Sequence, residues 1–259
     1  IQSLNVDVNE FWRESNTLAK DHDMDNNLAY MYMMATKSYG KKFLTKEVLA
    51  EYGSKVTLYN GVNTWFERIR QYGLKQGVQI EHYIISSGLK EMIEGTEMAK
   101  NGAFKKIYAS AFMFDDKDVA VWPAQAINYT NKTQFLFRIQ KGVLDINDAG
   151  VNDYRRPEEQ RVPFRNMIYI GESDTDIPCM SLVNINGGHS IGVYDPDSKN
   201  KEKVYKMMQH HRIRYYAPAD YTDGSDLDTV VKQIIQKTAA YEALEQQYVR
   251  NKHEAESHR

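Results

Sequence analysis

Between residues 82 and 217 the chain alternates short apolar runs with stretches of helical spacing, and nothing else in the sequence constrains the fold as much. The runs are HYIIS at 82–86, MIYIG at 167–171, SIGVY at 190–194 and IRYYA at 213–217, each followed at some distance by helix-compatible sequence. Strands covered on both faces read as such continuous apolar runs, and parallel neighbours need a helical crossover. The expected fold class is therefore α/β: a Rossmann-like, mainly parallel sheet with helices on both faces. Ligands of such a sheet gather at the carboxyl ends of its strands.

Ahead of this region, over residues 8–70, apolar positions recur at three- and four-residue steps: Phe11, Trp12 and Leu18, then Leu28, Met31, Tyr32, Met34 and Ala35, then Val48 and Leu49, then Trp65, Phe66 and Ile69. This is helical periodicity with no strand in it, and the YMYMMA segment reads as helix–helix core. Two domains are expected, a small helical cap over residues 1–58 and an α/β core over 59–259. Within the core, residues 88–102 predict one helix, with Glu91 and Glu94 in its early turns and Asn101-Gly102 as its stop. A hairpin near 107–122 turns at Asp115–Asp118, a helix runs from about 132 to 140, and 146–163 is an irregular insertion. A helix within KNKEKVYKMMQHH, residues 199–211, and a closing helix from 226 to about 248 with a frayed end complete the expectation.

Charge and cysteine usage narrow the function classes. Lysine and arginine total 33 against 35 acids, a net charge of −2, so no broad positive field exists to collect nucleic acid or anionic lipid. The RIRYY segment at 212–216 interleaves bases with aromatics but reads as a strand. No apolar run approaches the roughly 20 residues needed to span a bilayer. The single Cys179 cannot form an internal disulfide and reads as a small buried hydrophobe, so a reducing cytoplasm is the expected location. His189, His210 and His211 lack the spacing and companions of a transition-metal site.

The strand ends carry the chemistry. HYIIS terminates in Ser86-Ser87-Gly88 ahead of a helix, which gathers hydroxyl and backbone N–H groups suited to an anion, or else to capping that helix. MIYIG ends in Gly171-Glu172-Ser173-Asp174-Thr175-Asp176, where three carboxylates call for a cation; hard oxygen ligands suit magnesium, and acids favouring a helix dipole are the other reading. Lys132 opens a helix, where its charge opposes the dipole and needs a negative partner such as a phosphate or Asp176.

In this order, serine 86, lysine 132 and acids 172–176, the sequence resembles the haloacid dehalogenase (HAD) superfamily of phosphohydrolases. IISSG looks like its second motif, Lys132 its third and IYIGESDTDIP its fourth; VAVWPAQAINYTNKTQFLFRIQKG and GESDTDIPCMSLV are similar to a bacterial subgroup distantly related to phosphoserine phosphatases. The likeness covers roughly residues 59–194, and the helices before it look like the family's variable cap. It implies a magnesium-dependent phosphomonoesterase that works through an aspartyl-phosphate intermediate on a small phosphorylated substrate. Ser86, helped by the Ser87 backbone, would bond the phosphoryl oxygens and Lys132 would neutralise charge. Glu172 would hold Mg2+, while Asp176 and Asp174 would orient metal-bound water or Lys132.

Two departures accompany the likeness. The family's first motif, an apolar strand delivering Asp-x-Asp, is not found: LAKDH rather than a strand precedes Asp23-Met24-Asp25, and Phe112-Met113-Phe114-Asp115-Asp116 follows the serine motif and reads as a hairpin tip. The strand and its aspartates are expected upstream of Ile1, and the chain without them is expected to be inactive. Glu172 stands where the family more often has aspartate. The extra methylene moves the carboxylate by roughly 1.5 Å, a shift that either backbone adjustment absorbs or that lowers metal affinity, with Asp174 taking over part of the coordination. The competing expectation is a catalytically silent HAD-fold binding or regulatory protein. Neither the substrate's identity nor the oligomeric state is legible in the sequence.

Overall fold

The computed structural model describes residues 6–38, 43–198 and 200–258. The first five residues of the expected cap, and residue 199 at the head of KNKEKVYKMMQHH, lie outside the described residues. In chain order the elements are α1 (Val8–Asp21), α2 (Asn26–Ser38), α3 (Lys46–Ser54), α4 (Val62–Lys75), β1 (Tyr83–Leu89), α5 (Lys90–Glu94), α6 (Glu97–Lys100), β2 (Lys106–Phe114) and β3 (Ala120–Gln125). They continue with α7 (Thr133–Lys141), β4 (Ile168–Gly171), α8 (Ile177–Ile185), β5 (His189–Tyr194), α9 (Glu202–Gln209), β6 (Tyr215–Pro218) and α10 (Asp226–Ser257). Two compact units divide these elements: Ile1–Thr57 with His82–Phe135, and Leu58–Glu81 with Leu136–Arg259.

In the first unit α1, α2 and α3 start where side chains satisfy their open N–H groups. Asp7 accepts from Glu10 N at 2.8 Å, Thr45 accepts from Val48 N at 3.2 Å, and Asp25 accepts from Asn27 N and Leu28 N at 2.8 and 3.1 Å. Asp23-Met24-Asp25 is thus a connection between α1 and α2, with Asp23 at φ 50°, and not a strand end. Met31 and Met34 pack with Phe11, Leu44, Leu49, Leu89, Phe112 and Ala120, so the YMYMMA segment is core. β1 and β2 are parallel, β2 and β3 antiparallel, and Asp115 closes the hairpin tip by accepting from Lys117 N and Val119 N, both at 2.9 Å.

Two expectations in this unit are corrected. β1 does not stop at Ser86: Ser86 pairs with Ala109 and Leu89 with the next residue, Ser110, so Ser87 and Gly88 are extruded as a bulge and pairing then resumes. Nor is 88–102 one helix. It breaks between α5 and α6 because α5 and α3 touch backbone to backbone: a Cβ on Gly95 would lie 2.0 Å from the Ala50 carbonyl oxygen, and one on Gly53 1.8 Å from that of Met92. Thr96 then caps α6, accepting from Ala99 N at 3.4 Å. Close packing overrides the helical spacing.

The second unit has an all-parallel sheet in the order β4-β5-β6. Ile191 and Val193 of β5 join Trp65 and Ile69 of α4 and Leu227, Val231, Ile234 and Ile235 of α10 in one core. On the opposite face a Cβ at Gly192 would lie 3.4 Å from Val204 of α9, so helices cover both faces of this sheet. The insertion after α7 is irregular as expected, with Arg138 donating to the carbonyls of Asp145, Ile146 and Asp148 at 2.6, 2.7 and 3.1 Å. α10 extends to Ser257, beyond the expected end, although none of its residues after Ile235 is buried. No helix among the described residues is long and apolar enough to cross a membrane.

Candidate functional site

The bulge in β1 sets the geometry around Ser86 and Ser87. Ser86 Oγ accepts from Gly88 N at 3.0 Å, and the Ser87 carbonyl accepts from the Tyr30 hydroxyl at 3.1 Å. Neither serine caps α5, whose N-cap is Leu89 with no side-chain bond, so the capping reading of these hydroxyls does not hold. The Ser87 hydroxyl is buried without a partner. Bulges re-aim side chains at the rims of sheets, and this one lies at the carboxyl end of a parallel strand.

Lys132 closes a 3-10 turn, Tyr129–Lys132, directly ahead of α7 and is 3% exposed. Asn128 and Asn131 brace the turn, Asn128 N donating to Asn131 Oδ1 at 2.7 Å. Its entry is anchored to the sheet, because Ile127 N donates to Ser110 Oγ at 3.0 Å while the Asn27 amide donates to the Ile127 carbonyl at 2.7 Å. Ser110 is the residue paired with Leu89, so the Lys132 turn is anchored beside the end of β1 that carries Ser86 and Ser87. The tie runs through Ile127, five residues ahead of Lys132.

Glu91 escaped the sequence reading, which placed it in the first turns of a longer helix for dipole reasons. The helix starts two residues later than expected, and Glu91 is 7% exposed, packed against β2. Its Oε1 accepts from Phe112 N at 3.3 Å, where β2 shifts register against β3, and its Oε2 has no partner. Burial raises its pKa above the usual carboxylate range. Burial also pushes the nearby Tyr30 hydroxyl up; a Ser110 hydrogen bond opposes this, and the charges of Glu91 and Asp25 add to it.

In the second unit Glu172 follows β4 directly and is exposed. The Tyr59 hydroxyl hydrogen-bonds to it; burial first, then the charges of Glu172 and Asp195, raise the Tyr59 pKa. Tyr221 is pushed up to about 12, by burial and then by Glu172. Asp195, one residue past β5, thus shares Tyr59 with Glu172 at the carboxyl ends of adjacent strands. Sequence reasoning missed it, although its position right after SIGVY was the available signal.

Asp174 is exposed and pairs with Lys203 at 3.2 Å. Asp176 is buried and holds the turn: Oδ1 accepts from the Tyr169 hydroxyl at 2.8 Å, and Oδ2 from Ser173 N and Ser173 Oγ at 3.0 and 2.8 Å. Burial and the Asp176 charge drive the Tyr169 pKa up. Gly171 makes room for this carboxyl, since a Cβ there would lie 2.8 Å from the Asp176 carboxyl carbon. Gly171→Ala is expected to displace Asp176 and cost about 1–3 kcal/mol in urea unfolding.

These carboxylates bear directly on a divalent cation. No group of three or more histidine, cysteine or acidic side chains able to hold a metal forms among the described residues, so an all-protein cage does not fit. A partly hydrated magnesium ion does, because it keeps several waters and needs only one or two carboxylates beside phosphate oxygens. Among the described residues Glu172, like Asp195, is exposed and forms no ion pair with a lysine or arginine, whereas Asp174 is paired with Lys203.

No family model matches the sequence. An uncharacterized protein of Borreliella burgdorferi is 25% identical over 250 residues, covering 86% of this chain and 85% of that protein. The crystal structure of a HAD family hydrolase from Salmonella enterica serovar Typhi is similar in fold, with a TM-score of 0.52 at 17% identity, over 86% of this chain. The chain spans 60% of that structure's length. Its parallel strands, the helices that cover them and this likeness in fold make the chain an α/β protein of HAD-like architecture.

Proposed function

We propose that the protein is a magnesium-dependent phosphomonoesterase acting on a small phosphorylated metabolite. The nucleophile is an aspartate, as the resemblance to the HAD phosphohydrolases implies. Its carboxylate oxygen attacks phosphorus as the bond to the leaving alcohol breaks; water then cleaves the aspartyl phosphate, returning the carboxylate and releasing inorganic phosphate.

One observation carries this reading: within a HAD-like fold, the bulged Ser86–Gly88 segment and the buried Lys132 lie at the same end of the β1–β2 sheet. Ser86 Oγ and the Ser87 N–H bond the phosphoryl oxygens, and the Lys132 ammonium offsets the charge that grows on them. Glu172 would hold a partly hydrated magnesium ion, which would supply further positive charge. Asp174 assists Glu172, and Asp176 keeps the turn between β4 and α8 in shape through Tyr169 and Ser173.

The test is hydrolysis of an aryl phosphate by the intact protein, upstream residues included, with magnesium and with a chelator. Turnover that needs magnesium, and a rise of about tenfold or more in the magnesium required by Glu172→Ala, is the expected result. Absence of turnover on a broad panel of phosphate esters would overturn the reading. A catalytically silent binding protein is the second reading, favoured by the Lys203 ion pair on Asp174 and the internal engagement of Asp176. An upstream coding sequence without an apolar strand ending in Asp-x-Asp would select it.

A further inference from the structure

The amino-terminal ends of the strands in the second unit carry polar groups that the proposed reaction does not use. His189 opens β5 and is 2% exposed. Its backbone N–H donates to the Met167 carbonyl at 3.0 Å, and its ring stacks on Tyr215 with centroids 6.0 Å apart and planes at 24°. Its Nε2 lies 3.2 Å from Lys237 Nζ. An ammonium group has donors only, so Nε2 accepts, the ring is neutral, and its proton sits on Nδ1.

Nδ1 is buried and has no partner. A buried donor left unsatisfied costs about 1–3 kcal/mol, and native proteins leave few of them. The charges around it are positive. Lys237 on α10 and Arg214 just before β6 both act on the ring, and neither forms an ion pair among the described residues. The acid on this side, Glu242, is already engaged by Arg165 Nε at 2.9 Å and by the Asn166 amide at 3.0 Å, with the Arg165 guanidinium also over Tyr241. Burial, then Lys237 and Arg214, hold the His189 pKa down to about 4, so the ring stays neutral near pH 7.

We propose that this end of the β4–β5–β6 sheet is a second binding site, for a small oxyanion, in which His189 Nδ1–H donates to the anion and Lys237 and Arg214 supply the charge. An oxyanion answers both demands at once: it accepts from the orphan N–H and neutralises two uncompensated cations. A cation would meet repulsion, and an apolar ligand would leave the donor unpaired. The site stands at the opposite end of β5 from Glu172 and Asp195. Six residues of strand separate the two by roughly 20 Å, which suits an effector rather than a substrate.

The experiment titrates inorganic phosphate into the 15N-labelled chain and follows the His189 imidazole nitrogens by NMR, with thermal unfolding in parallel. A saturable shift of Nδ1 and a rise in Tm are expected. Lys237→Gln and Arg214→Gln, both at exposed positions where folding is preserved, should each weaken the apparent affinity about tenfold. Ser86→Ala should leave the His189 response unchanged, so this site stands or falls apart from the phosphatase reading. Acetate giving the same saturable shift would extend the ligand class to carboxylates and support the proposal. An equal response to sodium chloride at matched ionic strength, or an undiminished phosphate response in the Lys237→Gln, Arg214→Gln double variant, would overturn it.

Discussion

Lys132→Met should lower kcat of the intact protein on an aryl phosphate by about 10²–10³-fold, the loss typical of removing one preorganised group that stabilises the transition state. Methionine is the informative replacement because Lys132 is buried: it fills the aliphatic volume while removing the ammonium with its charge and its N–H donors. Lys132→Ala should lose the same activity and, in addition, stability, since it leaves a cavity. Steady-state kinetics beside thermal unfolding separate the two effects. An active Lys132→Met would show that the ammonium takes no part in phosphoryl transfer, and the reading built on it would fall.

The largest stability effect is expected at Asp228. It is fully buried and pairs with Arg68 Nη2 at 3.1 Å and Lys232 Nζ at 2.7 Å, while Gly224 N donates to it at 3.0 Å. Asp228→Ala removes the buried one of the two carboxylates that Arg68 and Lys232 share, leaving these cations, 22% and 24% exposed, with the exposed Asp223 alone. Removing one partner of a buried pair costs about 3–5 kcal/mol, and the partial exposure of both cations places this case near 3 kcal/mol in urea unfolding. The pH dependence follows from the same contacts. Burial by itself would raise the Asp228 pKa, but the bonds from Lys232, Gly224 and Arg68 outweigh it and leave the pKa below its ordinary value. The stabilisation is therefore complete above the ordinary aspartate value of about 3.9 and is lost as pH falls through the lower, folded value. Asp228→Ala should flatten that acid limb of the stability curve.

The strand–helix alternation was readable because burial on both faces writes itself as an unbroken apolar run. SIGVY is the clear case: β5 spans 189–194 and lies between parallel neighbours. The hairpin at 106–125 was readable from its polar tip, where Asp115 does what its side chain favours in any turn. The break at Gly95 was hidden, because its cause is the approach of a distant backbone at Ala50 and the local spacing carries no trace of it.

The site divides in the same way. Ser86, Ser87, Lys132 and Glu172 stood out as residue types at strand and helix ends, whereas Glu91 and Asp195 acquire meaning only from partners remote in sequence. Glu91 was read only as an acid in the early turns of a helix, and its partner, the Phe112 N–H, lies 21 residues away in sequence.

The extruded pair Ser87-Gly88 has one more consequence. The ladder holds the chain at Ser86 and again at Leu89, while the Gly88 N–H closes only on a neighbouring hydroxyl. Hydrogen–deuterium exchange should therefore find a labile window two amides wide inside an otherwise protected strand. That window is an intrinsic reporter: whatever anion settles against Ser86 will slow it, and the occupancy can be read without a label, a chromophore or a substitution.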